Sequence, residues 1–387
     1  MNNWFKNAIV YHIFIDRFAG YKVNADAKKP LFCGGRLNAI TDKIDYIKGM
    51  GFNTIWVSPF YETSAYHGYH ITNFDKVDKR FGHVDDLRKL ISECHRKQVR
   101  IIADIVPNHC SETHPFFIDA KLDKLSKFRN WFYFENWPEK YIRFLDFGEL
   151  PKINLENPET ATYMIDSLSS WAKLGFDGFR IDHIMGLPDN FLLKLKNELL
   201  QLNNEFILIG EAWNEGICYK HLKTLRAKGR YRMWKTGMRQ ADIQKHYLGI
   251  VDGVLDFGWR NLLLKNLYSM PGNKQTFLKL EREYCSTFPD GFYLPRFLDN
   301  HDTNRIMYSC KNNEKLFKLS LELLTGQEQP IIVYNGTEYG LSHSLPLTPE
   351  TPYSDLQARG LIPWEQTGKY TQFITRLLKA RINKQKL

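Results

Sequence analysis

The sequence predicts an α/β fold, a closed (β/α)8 barrel of the TIM type with a small subdomain inserted after the third strand. Three observations predict it. Short, nearly continuous apolar runs alternate with amphipathic stretches along the whole 387 residues, and eight such runs can be counted. Runs apolar on both faces and separated by helices indicate a parallel sheet covered by helices. Carboxylates, arginine and histidine also collect at the C-terminal ends of several runs, the face on which such barrels carry their sites.

Taken in order, the candidate strands are residues 9–16, 54–59, 100–106, 178–182, 206–211, 253–257, 294–298 and 330–334. The candidate helices between and after them are 39–50, 84–98, 160–174, 188–202 and 315–325, and 370–385 reads as the last helix of the barrel. A doubly wound open sheet is the structural competitor, but it calls for a Gly-rich phosphate turn after the first strand. Here that strand ends Ile15-Asp16-Arg17-Phe18-Ala19-Gly20, without such a turn. The connection after the third strand is too long for a structureless loop in a compact domain. Residues 107–154 are therefore assigned to an inserted subdomain over the C-terminal mouth, and residues 1–106 and 155–387 to the barrel. No stretch after the eighth unit reads as a β-sandwich.

Composition narrows the function classes. Hydrophobic residues make up 43% and charged residues 25%, ordinary for a soluble globular protein. The aromatic content of 14% suits flat sugar faces, although most rings are needed to fill a core. A formal charge of +10 raises nucleic-acid binding. However, the basic residues are scattered and the densest stretch, 379–386, reads as a solvated helix end, so no nucleic-acid partner is expected. No apolar run is long enough to span a membrane, and no membrane partner is expected. The N-terminal residues lack a basic-then-apolar leader pattern, which predicts a cytoplasmic location. The six cysteines, Cys33, Cys94, Cys110, Cys218, Cys285 and Cys310, form no CxxC pair, so reduced thiols are expected and a zinc site has no support. Nothing in the sequence sets the oligomeric state.

The chemistry sits at four strand ends. The third run continues Asp104-Ile105-Val106-Pro107-Asn108-His109, and the fourth is Gly178-Phe179-Arg180-Ile181-Asp182-His183. The fifth ends Gly210-Glu211-Ala212-Trp213, and the seventh ends Asp299-Asn300-His301-Asp302. A single charged residue ending a strand is usually a cap or turn residue; four such ends together are not explained by capping. Two carboxylates on neighbouring strands suit glycoside hydrolysis, because a retaining enzyme holds them about 5–5.5 Å apart and parallel strands lie about 4.8 Å apart. Arg180 lies two residues before Asp182 and so faces the same side. A fixed cation there is expected to keep Asp182 ionised, as a nucleophile must be. Glu211 has no basic neighbour in sequence, and a dry, carboxylate-rich setting would raise its pKa as a general acid needs.

These motifs, in this order, resemble the α-amylase superfamily, glycoside hydrolase family 13, over nearly the whole chain. Supporting stretches also match: Tyr11-His12-Ile13-Phe14-Ile15-Asp16-Arg17-Phe18, Gly34-Gly35-Arg36-Leu37, Tyr66-His67-Gly68-Tyr69-His70 and Tyr334-Asn335-Gly336-Thr337-Glu338. The resemblance implies that Asp182 is the nucleophile, Glu211 the acid/base and Asp302 the third carboxylate, which binds sugar hydroxyls and favours the distorted, cation-like state. It implies that Arg180 orients the nucleophile, that His109 and His301 hydrogen-bond the sugar being cleaved, and that Tyr69 stacks on it. Tyr66 and His67 are further binding candidates, and Asp104 and Asn108 support the site. The stretch Leu150-Pro151-Lys152-Ile153-Asn154 resembles the fifth motif of the neopullulanase and cyclomaltodextrinase branch. Its bland alternative is a loop returning to the fourth strand.

The implied function is retaining hydrolysis of α-1,4-glucans such as maltodextrins and starch fragments, with cyclodextrins and pullulan as further substrates and an α-glucan oligosaccharide as partner. A 4-α-glucanotransferase would use the same residues, and a non-catalytic carbohydrate-binding scaffold is the reading from another class. The presence of all three carboxylates argues against the scaffold. No cofactor is required by this chemistry. In calcium-dependent relatives the residue matching Asn108 binds the ion, so a structural calcium is a candidate there. However, the histidine that also contributes to that site is replaced by Gly186, preceded by Met185, which counts against calcium and implies altered acceptor subsites.

Overall fold

The computed structural model describes residues 4–22, 24–145, 147–213, 239–348 and 353–385. Eight parallel strands form one sheet: β1 (Ile9–Ile13), β2 (Thr54–Val57), β5 (Arg100–Ile105), β8 (Gly178–Ile181), β9 (Ile207–Gly210), β10 (Gly253–Val254), β11 (Arg296–Phe297) and β12 (Ile331–Tyr334). The spatial order is β10-β9-β8-β5-β2-β1-β12-β11, and a parallel bridge between Gly253 and Tyr293, just before β11, joins the two ends. Each strand therefore lies beside its neighbours in sequence and the sheet closes on itself, the arrangement of a TIM barrel. An open doubly wound sheet would reverse its order partway.

Every expected strand is present, with trimmed ends. Residues 14–16 leave β1 to begin a short helix, Ile15–Phe18, and the sixth and seventh strands hold only two paired residues each. The expected helix over 39–50 is two helices, Leu37–Thr41 and Ile44–Met50. The second ends in Gly51 at φ 109, the left-handed stop that suits glycine. Helices Val84–Arg96, Pro158–Ala172, Asp189–Leu202, Glu314–Thr325 and Thr371–Gln385 cover the outside.

Side-chain alternation sorts the strands into two cores. Ile9, Tyr11, Ile101, Ala103, Phe179, Leu208, Ile331 and Val333 face outward and pack with the helices. Val10, Trp56, Ile102, Ile207, Ile209, Phe297 and Ile332 face the barrel axis and form a separate inner core. Continuing that inner parity toward the strand ends points His12, Asp104, Arg180, Asp182 and Glu211 to the axis as well.

Two excursions leave the barrel at its C-terminal face. A hairpin not foreseen from the sequence, β3 (Tyr61–Thr63) and β4 (Ile71–Val77), follows β2. Its tip carries Tyr66–His70, and Gly68 at φ +87 packs so closely that an added Cβ would meet the Pro59 carbonyl at 2.5 Å. Residues 107–157 form the second. They contain helix Pro115–Leu122, with Pro115 at its first position and the His114 ring accepting from the Phe116 amide, and a small hairpin of β6 (Phe134–Asn136) and β7 (Lys140–Tyr141). Antiparallel bridges from Pro151, Lys152 and Ile153 to Arg143, His109 and Phe132 tie its end to its beginning. Five cysteines are free thiols, and Cys218 lies outside the described residues. No helix among the described residues is long and apolar enough to cross a membrane.

Candidate active site

Register sets the heights of the reacting groups. Asp104 pairs with Arg180 across β5 and β8, and Ile181 pairs with Gly210 across β8 and β9. Asp182 and Glu211 each follow one of that second pair, so they leave neighbouring strands at the same level. The amides of both extend the ladder, from Asp182 to Ile105 O and from Glu211 to Ile181 O, each at 2.9 Å.

One guanidinium stands among three carboxylates. Arg180 Nη1 lies 2.8 Å from Asp104 Oδ1 and 2.9 Å from Asp182 Oδ1, and Nη2 lies 2.6 Å from Glu211 Oε1. Asp182 is 7% exposed and Glu211 8%, whereas Asp104 and Arg180 are sealed beneath them. Glu211 Oε2 also accepts the His183 amide at 3.2 Å. His183 itself sits in the left-handed region at φ 41, uncommon for a side-chain-bearing residue.

The electrostatics correct one expectation and add to a second. Arg180 does not by itself hold Asp182 ionised. Burial pushes the Asp182 carboxyl well above the usual carboxylate range; Arg180 pulls it down, but Glu211, Asp104 and Asp302 push it up again. Glu211 does have a basic neighbour in space, the same Arg180. Burial still raises its pKa against that cation, with Asp302 adding to the rise. A single cation shared three ways cannot neutralise the cluster, so the Asp182–Glu211 pair holds a proton more tightly than isolated carboxylates would. That proton belongs to the pair.

Asp302 behaves oppositely. Burial would raise it, but His301, which also hydrogen-bonds it, together with Arg359 and Arg180, outweighs burial and holds it well below the usual range. His301 Nε2 lies 2.9 Å from Asp302 Oδ2 and Arg359 Nη2 lies 2.8 Å from Oδ1. His301 Nε2 also meets the Tyr69 hydroxyl at 2.6 Å, and the two rings stack with centroids 5.2 Å apart. Tyr69 in turn donates to Asp104 Oδ2 at 2.9 Å. Tyr69 thus links the Asp104–Arg180 base of the site to the His301–Asp302 wall.

The remaining candidates divide. His109 is buried beside β5, its Nδ1 3.2 Å from Asn108 Nδ2 and its ring stacked on Phe144 at 4.4 Å. Burial lowers its pKa well below the ordinary imidazole value. His67, beside Tyr69 and His70, is lowered well below that value in the same way. Both rings are neutral near pH 7 and suited to hydrogen-bonding a hydroxyl. Tyr66 needs correcting as a sugar-binding candidate. It is 3% exposed, and its hydroxyl accepts from Arg359 at 2.9 Å and donates to Asp355 at 3.1 Å. It backs the cation that holds Asp302.

Asn108 also needs correcting as a calcium ligand. Its Oδ1 accepts from the buried Lys152 ammonium at 2.6 Å, and that ammonium also reaches the Gly186 carbonyl at 2.5 Å. The residues here do not fit a bound dication, because a lysine already uses the two converging oxygens. Among the described residues no group of three or more His, Cys, Asp or Glu side chains is placed to hold a metal.

Several contributors escaped the sequence reading. Trp56 donates to Asp104 at 3.3 Å and stacks on His12 at 3.6 Å, forming the floor under Arg180. Arg359 and Phe144 come from segments without a strand-end signal. Inner-facing parity could have flagged His12 and Trp56; nothing comparable marks Arg359 or Phe144.

Comparison with known proteins finds relatives along nearly the whole chain. A family model described as the alpha-amylase catalytic domain matches residues 12–379. The chain is similar to "Alpha-amylase 2" of Dictyoglomus thermophilum, 32% identical over 98% of this chain and 63% of that protein. It is also similar to a cyclomaltodextrinase of a Bacillus species, 25% identical over 87% of this chain and 60% of that protein. The chain therefore spans about three-fifths of the length of these curated relatives. Among solved structures, the alpha-amylase from Geobacillus thermoleovorans complexed with acarbose superposes with a TM-score of 0.79 at 27% identity, covering 97% of this chain and 79% of that one.

Proposed function

The chain belongs to the alpha-amylase catalytic-domain family, and from that premise we propose that it is a retaining glycoside hydrolase that cleaves α-1,4-linked glucans of maltodextrin size. The observation that carries this reading is the convergence of Asp182 and Glu211 on Arg180, with Asp302 held ionised opposite by His301 and Arg359. A pair that retains one proton, next to a carboxylate that retains none, is the division of labour that double displacement needs.

With that proton on Glu211, an Asp182 oxygen attacks the anomeric carbon while Glu211 protonates the departing glycosidic oxygen. The sugar is left esterified to Asp182. Glu211, now a carboxylate, takes a proton from water as the water oxygen attacks the same carbon, and Asp182 leaves. Two inversions give net retention. Arg180 stays in contact with both reacting groups and follows the negative charge as it moves. Asp302 and His301 accept and donate hydrogen bonds at the sugar hydroxyls, His109 and His67 are further hydrogen-bonding partners, and Tyr69 offers its ring. Residues 107–154 act in this reading as an inserted subdomain of the barrel formed by 1–106 and 155–387. The stacking of Phe144 on His109 supports that assignment.

Maltotriose, β-cyclodextrin and pullulan are the substrates to test. Asp182→Asn and Glu211→Gln should each lower kcat on maltotriose by about 10³-fold or more. Retained turnover in either would refute the mechanism. Release of glucose or maltose with new reducing ends is expected; growth of longer oligomers without them would replace hydrolysis by transfer.

A further inference from the structure

Lys152 is 3% exposed, yet it carries an ammonium into the junction of three chain segments. Its Nζ donates to Asn108 Oδ1, just past β5, and to the carbonyl of Gly186, just past β8. Its own backbone, in the last stretch of the 107–157 excursion, donates to Ile142 O at 2.9 Å and bridges His109. Gly186 is fitted to this arrangement: a Cβ there would lie 2.0 Å from Asn108 Oδ1. Any side chain at 186 would push the Asn108 carboxamide away from the lysine.

We propose that the Lys152 ammonium is a built-in cation that takes the place of a structural calcium ion at this junction, so that the excursion is fastened to the barrel without metal. Calcium needs six to eight oxygen ligands at about 2.3–2.6 Å. The two oxygens that converge here lie 2.5 and 2.6 Å from a positive charge already covalently part of the chain. An ammonium donates up to three hydrogen bonds and needs no closed shell of carboxylates. It binds a side-chain oxygen and a main-chain oxygen from two different strand ends, which is the cross-link an ion would supply. The inference holds whichever glucan the protein cuts.

The test uses the full chain. After dialysis against EDTA and then metal-free buffer, elemental analysis should find far less than one calcium per chain. The melting temperature should agree within about 1 °C in EDTA and in millimolar calcium chloride, because a ligand that does not bind the native state cannot stabilise it. Lys152→Met should lower the melting temperature by several degrees, and Lys152→Arg, which keeps the charge, should recover part of that loss. Stoichiometric calcium in the purified protein, or a drop of several degrees in EDTA, would overturn the proposal. So would a Lys152→Met protein that melts like wild type. If Lys152→Met does not fold, the wild-type metal analysis and melts still decide.

Discussion

Replacing Arg359 by methionine tests how the third carboxylate of the site is kept charged. Arg359 is buried, with Nη2 2.8 Å from Asp302 Oδ1, Nη1 on the Tyr66 hydroxyl and Nε on the His301 carbonyl. Charge centres about 4 Å apart at an effective dielectric near 20 interact by about 4 kcal/mol, roughly three pKa units. That figure is an upper bound, because the Asp302 side chain is 31% exposed and His301 remains 2.9 Å away. A working shift is therefore about one to two units upward. The sign follows from linkage: Asp302 is held low by its cations, so removing one raises its proton affinity. Asp302 starts well below the usual carboxylate range, so after that rise it is still ionised across the assay range; the acid limb of kcat/KM on maltotriose should stay in place, and kcat at the optimum should fall about 10²-fold. Arg359→Lys should restore part of kcat, as a point charge can, but not all of it, since it lacks the guanidinium fork. The assay is initial-rate release of reducing sugar between about pH 4 and 8, with melting temperatures measured alongside. A folded Arg359→Met enzyme with wild-type kcat would refute the assigned role, leaving Arg359 as packing.

His114→Asn keeps an acceptor at the cap of helix Pro115–Leu122 while removing a ring whose pKa burial pushes down to about 4. Because the unfolded chain binds that proton more tightly, wild-type stability should fall as pH drops through about 6.5. The His114 share is about 2 kcal/mol between pH 7.5 and 5. Urea midpoints should show the variant losing less over that interval, and equal losses would sink the argument. Phe144→Ala removes the ring stacked on His109 and set edge-on to His183 at 4.7 Å. It should raise KM for maltotriose several-fold with a smaller change in kcat; a loss confined to kcat would place Phe144 elsewhere in the cycle.

The barrel was legible because its strands are buried on both faces, so composition alone marks them. Their ends were not, because hydrophobicity reports burial and not pairing. Leu255 and Phe257 extend the sixth apolar run and belong to the inner core, yet the paired strand ends at Val254, with only the Leu255 amide reaching on to Gly210 O at 2.9 Å. At the fourth and fifth strands the run overshoots for another reason. Asp182 and Glu211 still donate to the ladder but turn their side chains into the site. The β3–β4 hairpin went unseen because β3 is only three residues long and burial along β4 does not alternate.

The site divides along the same physical line. Asp104, Arg180, Asp182 and Glu211 could be placed from sequence because strand parity and neighbouring registers fix their directions before any tertiary detail is known. Their charge states could not, since those depend on how many carboxylates share each cation. Arg180 reaches Glu211 as well as Asp182, and Arg359 arrives from 57 residues beyond Asp302 in a stretch with no strand of its own. Lys152 makes the same point from the other side. It stands in a recognisable motif, but only its meeting with Asn108, 44 residues earlier, and Gly186, 34 residues later, reveals a cation where calcium was a candidate. Local sequence fixes which groups face the axis; long-range contacts between loops decide which of those groups carry a proton and which carry a charge.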